Sequence, residues 1–239
     1  MAVDAPDLTL RYAEHVDGVI DLHLQATGTG PTVLLIHGGF WKQVYDRTHT
    51  RPMARALAEL GYVVATPEYR RVGGGGGWPT TWHDVVAAAT ALPGLCAQAG
   101  LSWSDPVVVG HSAGGHLALL FASADVPLSG VVALAAVSDL DAALDLSLGS
   151  GAAVAFLDGA SPASADPMSL VPRPGLPVSL VHGTADEDVP VSLSRNYAAR
   201  HPGTVLTELG CGHMELITPG SIAWPAVVRA VESSAEAGR

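Results

Sequence analysis

The stretch Val107-Val108-Val109-Gly110-His111-Ser112-Ala113-Gly114-Gly115-His116-Leu117-Ala118 constrains the fold more than any other part of this chain. A short β-branched run, a Gly-x-Ser-x-Gly turn and a small-residue helical pattern predict strand, sharp turn and helix, with a serine at the apex. Such a turn strains the serine backbone and needs small neighbours, which Gly110, Ala113 and Gly114 supply. Ser112 would then be held out above the strand end, at a helix start whose free N–H groups favour developing negative charge. A Gly-Ser loop capping an ordinary helix is the plainer reading. The strand before the motif and the helix after it favour a nucleophile elbow.

The rest of the chain alternates apolar strands with helical patterns. Strands are expected at Leu8 to Tyr12, Val19 to Ala26, Thr32 to Ile36, Tyr62 to Thr66, Val107 to Gly110, Val131 to Val137, Val178 to His182 and Val205 to Leu209. The first two read as an edge hairpin, joined to the third strand through Gly28-Thr29-Gly30-Pro31. The run Thr32 to Ile36 is apolar throughout, as a strand covered on both faces is, and Val131 to Val137 and Val178 to His182 are further apolar strands. Helices fit Pro52 to Leu60, Trp82 to Gln98 with a disturbance at Pro93-Gly94, His116 to Ala124, Val191 to Arg200 and Ile222 to Glu236. This pattern predicts an α/β fold: one mainly parallel eight-stranded sheet with helices on both faces and ligand sites beyond the carboxyl ends of its strands. We read residues 1–239 as a single domain with a short insertion at about 139–177, rich in Ala, Ser and Pro. Five consecutive glycines, Gly73 to Gly77, are expected to form a mobile surface loop.

Strand ends also select the partners of Ser112. Asp186 falls just past the Val178 to His182 strand, with Glu187 and Asp188 as rivals; Asp188 also suits a helix cap. His213 lies in a Gly-bounded loop after the last strand, 27 positions beyond Asp186. The chain has ten histidines, so no single one is a strong signal. His37, His111, His116 and His182 all lie beside motifs and read first as hydrogen-bonded structural or pocket-wall residues. His116, four residues after Ser112 on the same helical face, is also a candidate substrate contact. In His37-Gly38-Gly39-Phe40-Trp41, paired glycines at a strand end let N–H groups turn towards a carbonyl. Gly39 and Phe40 are candidate oxyanion donors with Ala113, and Trp41 is a candidate substrate wall.

Composition excludes other classes. The net charge of −11 argues against nucleic acid or an anionic membrane as partner, and no apolar run approaches a membrane span. A small-molecule substrate is the expected partner, and a homodimer is left open. The start, Met-Ala-Val-Asp-Ala-Pro-Asp, has no secretory character, so a cytoplasmic protein is expected unless a leader was removed. Cys96 and Cys211 lack metal-site spacing and read as small core residues; no metal or cofactor is expected.

Taken together, four separated motifs occurring in order along the chain make it resemble the α/β-hydrolase superfamily from about residue 8 to the end. His37-Gly38-Gly39-Phe40-Trp41 and Gly110-His111-Ser112-Ala113-Gly114-Gly115-His116 resemble the kynurenine formamidase (arylformamidase) and carboxylesterase branch. His182-Gly183-Thr184-Ala185-Asp186 with Val189-Pro190 is equally similar to prolyl-oligopeptidase-type catalytic domains. The resemblance implies a serine hydrolase with Ser112, Asp186 and His213 as triad, cleaving a small ester or (aryl)formamide, and its spacing favours Asp186 over its rivals. A prolyl-oligopeptidase-type aminopeptidase and a non-hydrolytic binding protein or isomerase remain alternatives. In such enzymes the 139–177 region carries a substrate-selecting cap.

Overall fold

A computed structural model describes residues 4–25 and 30–237. Ala26, Gly28 and Thr29 of the expected second strand and turn, and the first three residues of the chain, lie outside that set. Eight strands form one sheet: β1 (Leu8–Arg11), β2 (Val19–His23), β3 (Thr32–Ile36), β4 (Val63–Pro67), β5 (Val107–His111), β6 (Gly130–Leu134), β7 (Val178–Gly183) and β8 (Val205–Leu209). Their order is β1-β2-β4-β3-β5-β6-β7-β8. The β1–β2 and β2–β4 pairs are antiparallel, and every later pair is parallel. The expected edge hairpin and parallel interior are both present.

Strand periodicity divides the core into two layers. On β3, Leu34 and Ile36 face one layer while Val33 and Leu35 face the other, as a period of two requires. Helix α1 (Arg51–Glu59) brings Met53, Ala54, Leu57 and Ala58 to the second layer. The first layer receives α2 (Thr80–Gln98) and α3 (Ala113–Phe121), the latter buried along its whole length. Each fully buried Val, Leu or Ile contributes about 1.5–3 kcal/mol, so these layers dominate the stability. Cys96 and Cys211 are buried and unpaired by disulfide, filling core space.

Three expectations are corrected. Helix α2 runs unbroken through Pro93, because Leu92 and Cys96, buried on either side of it, hold its inner face in the core. Strand β6 stops at Leu134, where Ala135 turns to a φ of 43°. The glycine run is not an unanchored loop: the Gly74 and Gly76 N–H groups both donate to the Arg71 carbonyl, at 2.8 and 2.9 Å. Gly73, Gly75 and Gly77 supply the positive φ angles such consecutive turns need.

Between β6 and β7 lie α4 (Leu140–Asp145) and α5 (Leu148–Leu157), followed by two short 3-10 turns at Pro162–Ser164 and Pro167–Ser169. Asp139 caps α4 by accepting from the Ala142 N–H at 2.9 Å. The chain enters α5 through left-handed backbone at Ser147, Gly149, Ser150 and Gly151. Helix α6 (Ser192–Arg200) joins β7 to β8, and α7 (Trp224–Ala237) packs Val227 and Val231 on the second layer.

Candidate active site

Ser112 sits between β5 and α3 with φ 58° and ψ −119°. A non-glycine residue held there costs on the order of 1–3 kcal/mol, so its surroundings must impose it. They do so from both sides. The Ser112 N–H donates to the Leu134 carbonyl at 2.8 Å, while its own carbonyl accepts from the His116 and Val137 N–H groups. Strand and helix also meet too closely for side chains: a Cβ on Gly110 would lie 2.1 Å from the Gly114 carbonyl, and one on Gly114 2.2 Å from that of Ile36. The motif glycines are therefore required by contact.

The candidate acid Asp186 and candidate base His213 converge from the loops after β7 and β8. His213 Nδ1–H donates to Asp186 Oδ2 at 2.7 Å. Asp186 Oδ1 accepts from the N–H groups of Asp188 and Val189 at 2.9 and 2.8 Å. Burial alone would raise the Asp186 pKa, but hydrogen bonds from His182, His213 and Val189 outweigh it and hold the carboxyl well below the usual carboxylate range. The base loop is clamped in turn: His111 Nε2–H donates to the His213 carbonyl at 3.1 Å, and the two rings lie 4.4 Å apart. Complete burial pushes His111 down to about 3, so it acts as a neutral donor.

The loop after β3 faces the elbow. A Cβ on Gly38 would lie 2.7 Å from the His111 carbonyl and 3.0 Å from Ser112 Cβ. Gly39, Phe40 and Trp41 then take φ angles of 109°, 50° and 54°, three left-handed residues in succession. Gly39, Phe40, Ser112 and His213 line one cavity of about 260 Å³, together with Tyr45, His49, His111, Asp188 and Met214. Ala113 opens α3, where first-turn N–H groups have no intrahelical partner.

Trp41 and His116, expected to contact substrate, are placed elsewhere. Trp41 is 1% exposed and stacks on Phe156 with centroids 4.5 Å apart, and the edge of His116 meets it at 5.1 Å. His116 Nε2–H donates to the Ala165 carbonyl at 2.8 Å. Both belong to the packing that joins the loop, α3 and the 139–177 insertion. His37 is likewise interior, with Nδ1 2.9 Å from the Gly38 carbonyl, Nε2 2.8 Å from Glu68 and its ring stacked on Tyr69. Of the wall residues, Tyr45 and His49 escape sequence reasoning because the irregular segment after Trp41 carries no periodic signal. Met214 was findable as the neighbour of His213.

Folding also assembles a cluster that linear spacing conceals: Asp186, Asp188 and His213 bring potential ligand atoms within 4.8 Å of one another. The Asp186–His213 hydrogen bond already engages two of the three, which suits an acid–base pair rather than a cation. Among the described residues no helix is long and apolar enough to cross a membrane.

Comparisons with known proteins bear on the fold that carries this geometry. The family model BD-FAE matches residues 20–130, which include the Gly39–Trp41 loop and the Ser112 turn but stop before Asp186 and His213. The chain is 33% identical over 114 residues to the probable carboxylic ester hydrolase LipM of Mycobacterium tuberculosis. That match covers 46% of this chain and 25% of LipM, so the chain spans about a quarter of the length of that curated relative. Among solved structures, a truncated carbohydrate esterase from gut microbiota superposes with a TM-score of 0.80 at 18% identity, covering 98% of this chain and 99% of that one. Esterase B of Lactobacillus rhamnosis, solved with a tributyrin phosphonate, gives 0.78 at 21% identity, covering 97% and 88%. Esterase 2 of Thermogutta terrifontis, phosphoramylated by tabun, gives 0.77 at 18%, covering 95% and 92%. With its sheet order, its strained Ser112 turn and its structural neighbours, the chain has the α/β-hydrolase fold.

Proposed function

We propose that this protein is a serine hydrolase acting on small carboxylic esters, with aryl formamides as a second substrate class. The observation that carries the reading is the 2.7 Å His213–Asp186 hydrogen bond in a site where His213 shares one cavity with the strained Ser112. His213 takes the proton of Ser112 as the serine oxygen attacks the carbonyl carbon. The N–H groups of Gly39, Phe40 and Ala113 stabilise the resulting oxyanion. Asp186 keeps the imidazole in the tautomer whose Nε2 is free to accept that proton, and His213 then returns it to the leaving alcohol or amine. Water repeats the sequence on the acyl-enzyme.

The names borne by the similar proteins, a carboxylic ester hydrolase and several esterases, support the ester reading. The volume of about 260 Å³ suits a small substrate, and the Phe40, Tyr45 and Met214 side chains suit an apolar or aromatic one. The formamide reading rests on the Gly-Gly-Phe-Trp and Gly-His-Ser-Ala-Gly-Gly motifs. The test compares wild type with Ser112→Ala on p-nitrophenyl acetate, butyrate and decanoate and on N-formylkynurenine. Activity on the short esters that the variant loses is the expected result. Retained activity would overturn the assignment, cleavage of aminoacyl anilides instead would favour the peptidase, and a folded protein that no fluorophosphonate labels would favour a non-hydrolytic binder.

A further inference from the structure

Behind the acid turn lies a second histidine with its own buried partner. His182, near the end of β7, is fully buried, and so is Ser194 on α6. His182 Nε2 lies 2.8 Å from the Val189 carbonyl and 3.4 Å from Asp186 Oδ2, while Nδ1 lies 2.7 Å from Ser194 Oγ. Both neighbours of Nε2 are acceptors only, so this nitrogen carries the proton; Nδ1 then offers its lone pair to the Ser194 hydroxyl. One N–H thus faces both ends of the turn that runs from Asp186 to Val189. An apolar side chain would fill this space without any need for partners, whereas His182 directs its hydrogen bonds at the acid turn and at the serine that fixes its tautomer.

We propose that His182, with Ser194 behind it, is a positioning residue: it ties the Val189 carbonyl to the Asp186 carboxylate and shares the charge of Oδ2, and so sets how strongly Asp186 holds His213. This deepens the serine-hydrolase reading and rests on it. Without His182, Oδ2 would keep only the His213 donor and would stabilise the protonated imidazole more strongly. The Val189 N–H on Oδ1 would also lose its anchor.

Other groups bear on the same titration. His213 is faced by His111 from β5, Asp188 from the acid turn and His49 across the cavity. Cys211 lies in the base loop itself, with Glu215 close behind Gly212. His182 pairs in register with Glu208 on β8, whose carboxylate is bound by Arg195 at 2.6 Å. None of these residues is replaced in a His182 or Ser194 variant; His182 also acts electrostatically on Glu208, so Ser194→Ala, which keeps His182, separates the tie from that effect.

The test is the pH dependence of kcat/KM for p-nitrophenyl butyrate in wild type, His182→Gln and Ser194→Ala, with thermal unfolding of each. The acidic limb reports the imidazole that must be neutral to act as base. It should move to higher pH by about half a unit to one unit in His182→Gln, with kcat lower by about tenfold, and by less in Ser194→Ala. Folded variants that keep the wild-type limb would overturn the proposal, and Ser194→Ala carries the test alone if His182→Gln does not fold. Fluorophosphonate labelling of wild type separates the two levels: unlabelled wild type removes the hydrolase reading, whereas labelled wild type with unmoved limbs removes only the role of His182.

Discussion

The two halves of the site are held by different physics. The loop that carries the candidate oxyanion donors rests on buried charge: Glu68 faces His37, Arg47 and Arg71, and Arg47 and Arg51 converge on Asp21. Asp186 and His213, the candidate acid and base, rest instead on backbone N–H groups and on two buried histidines, His182 and His111. An ion network tolerates the loss of one partner badly, because the other is left charged in a dry interior. A set of hydrogen bonds loses about 1–3 kcal/mol for each group left unsatisfied. Loss of a charge beneath the first half should therefore appear mainly as instability, and damage to the second half mainly as lost rate.

Asp186→Asn is the sharpest probe of the second half, since an amide cannot hold the required tautomer of His213. We expect kcat to fall about 10⁴-fold with a much smaller change in unfolding temperature, measured by ester turnover and calorimetry. A variant that unfolds instead would erase the contrast. On the loop side, Gly39→Ala would place its Cβ 2.4 Å from that of Tyr45 at a φ of 109°. Displacement of one oxyanion donor should lower kcat about 10²- to 10³-fold, with KM nearly unchanged in steady-state kinetics. Glu68→Gln should do the reverse: it leaves Arg71 buried without its closest carboxylate and should cost about 3–5 kcal/mol in urea unfolding, with a smaller rate loss.

The smallest effect is a dependence on pH. Burial opposes the charge on Asp21, yet Arg47 and Arg51 hold its carboxyl below the usual range. A depressed folded pKa gives stability that is present above the unfolded value of about 3.9 and is lost as pH falls through the folded one. The stability gap between wild type and Asp21→Asn should therefore be widest near neutrality and narrow below about pH 4. A gap independent of pH would mean that Asp21 acts by packing alone.

Legibility in the sequence follows the same division. The strands, the elbow, Asp186 and His213 are readable because period, small residues and strand-end position are local properties. The parallel interior of the sheet follows from the alternation of strand and helix, but the order that places β4 between β2 and β3 does not. The ion network is not readable: Glu68, Arg71, Arg47 and Asp21 come from three separate segments and carry no shared spacing. Trp41 shows the limit most clearly. Beside Phe40 it reads as a substrate wall, but Phe156, more than a hundred residues away, draws it into the interior. Pro93 is the converse case, a helix breaker overruled by the burial of Leu92 and Cys96.

The left-handed entry to α5 has a consequence for re-engineering. Lys42 Nζ donates to the Gly149 carbonyl at 2.7 Å, and a Cβ at Gly149 would lie 2.7 Å from the Phe40 ring. The segment between β6 and β7 is thus not an interchangeable module that can be grafted from one scaffold to another. Any transplanted sequence must reproduce that glycine seat, or Phe40 will shift and the pocket will be reshaped from outside.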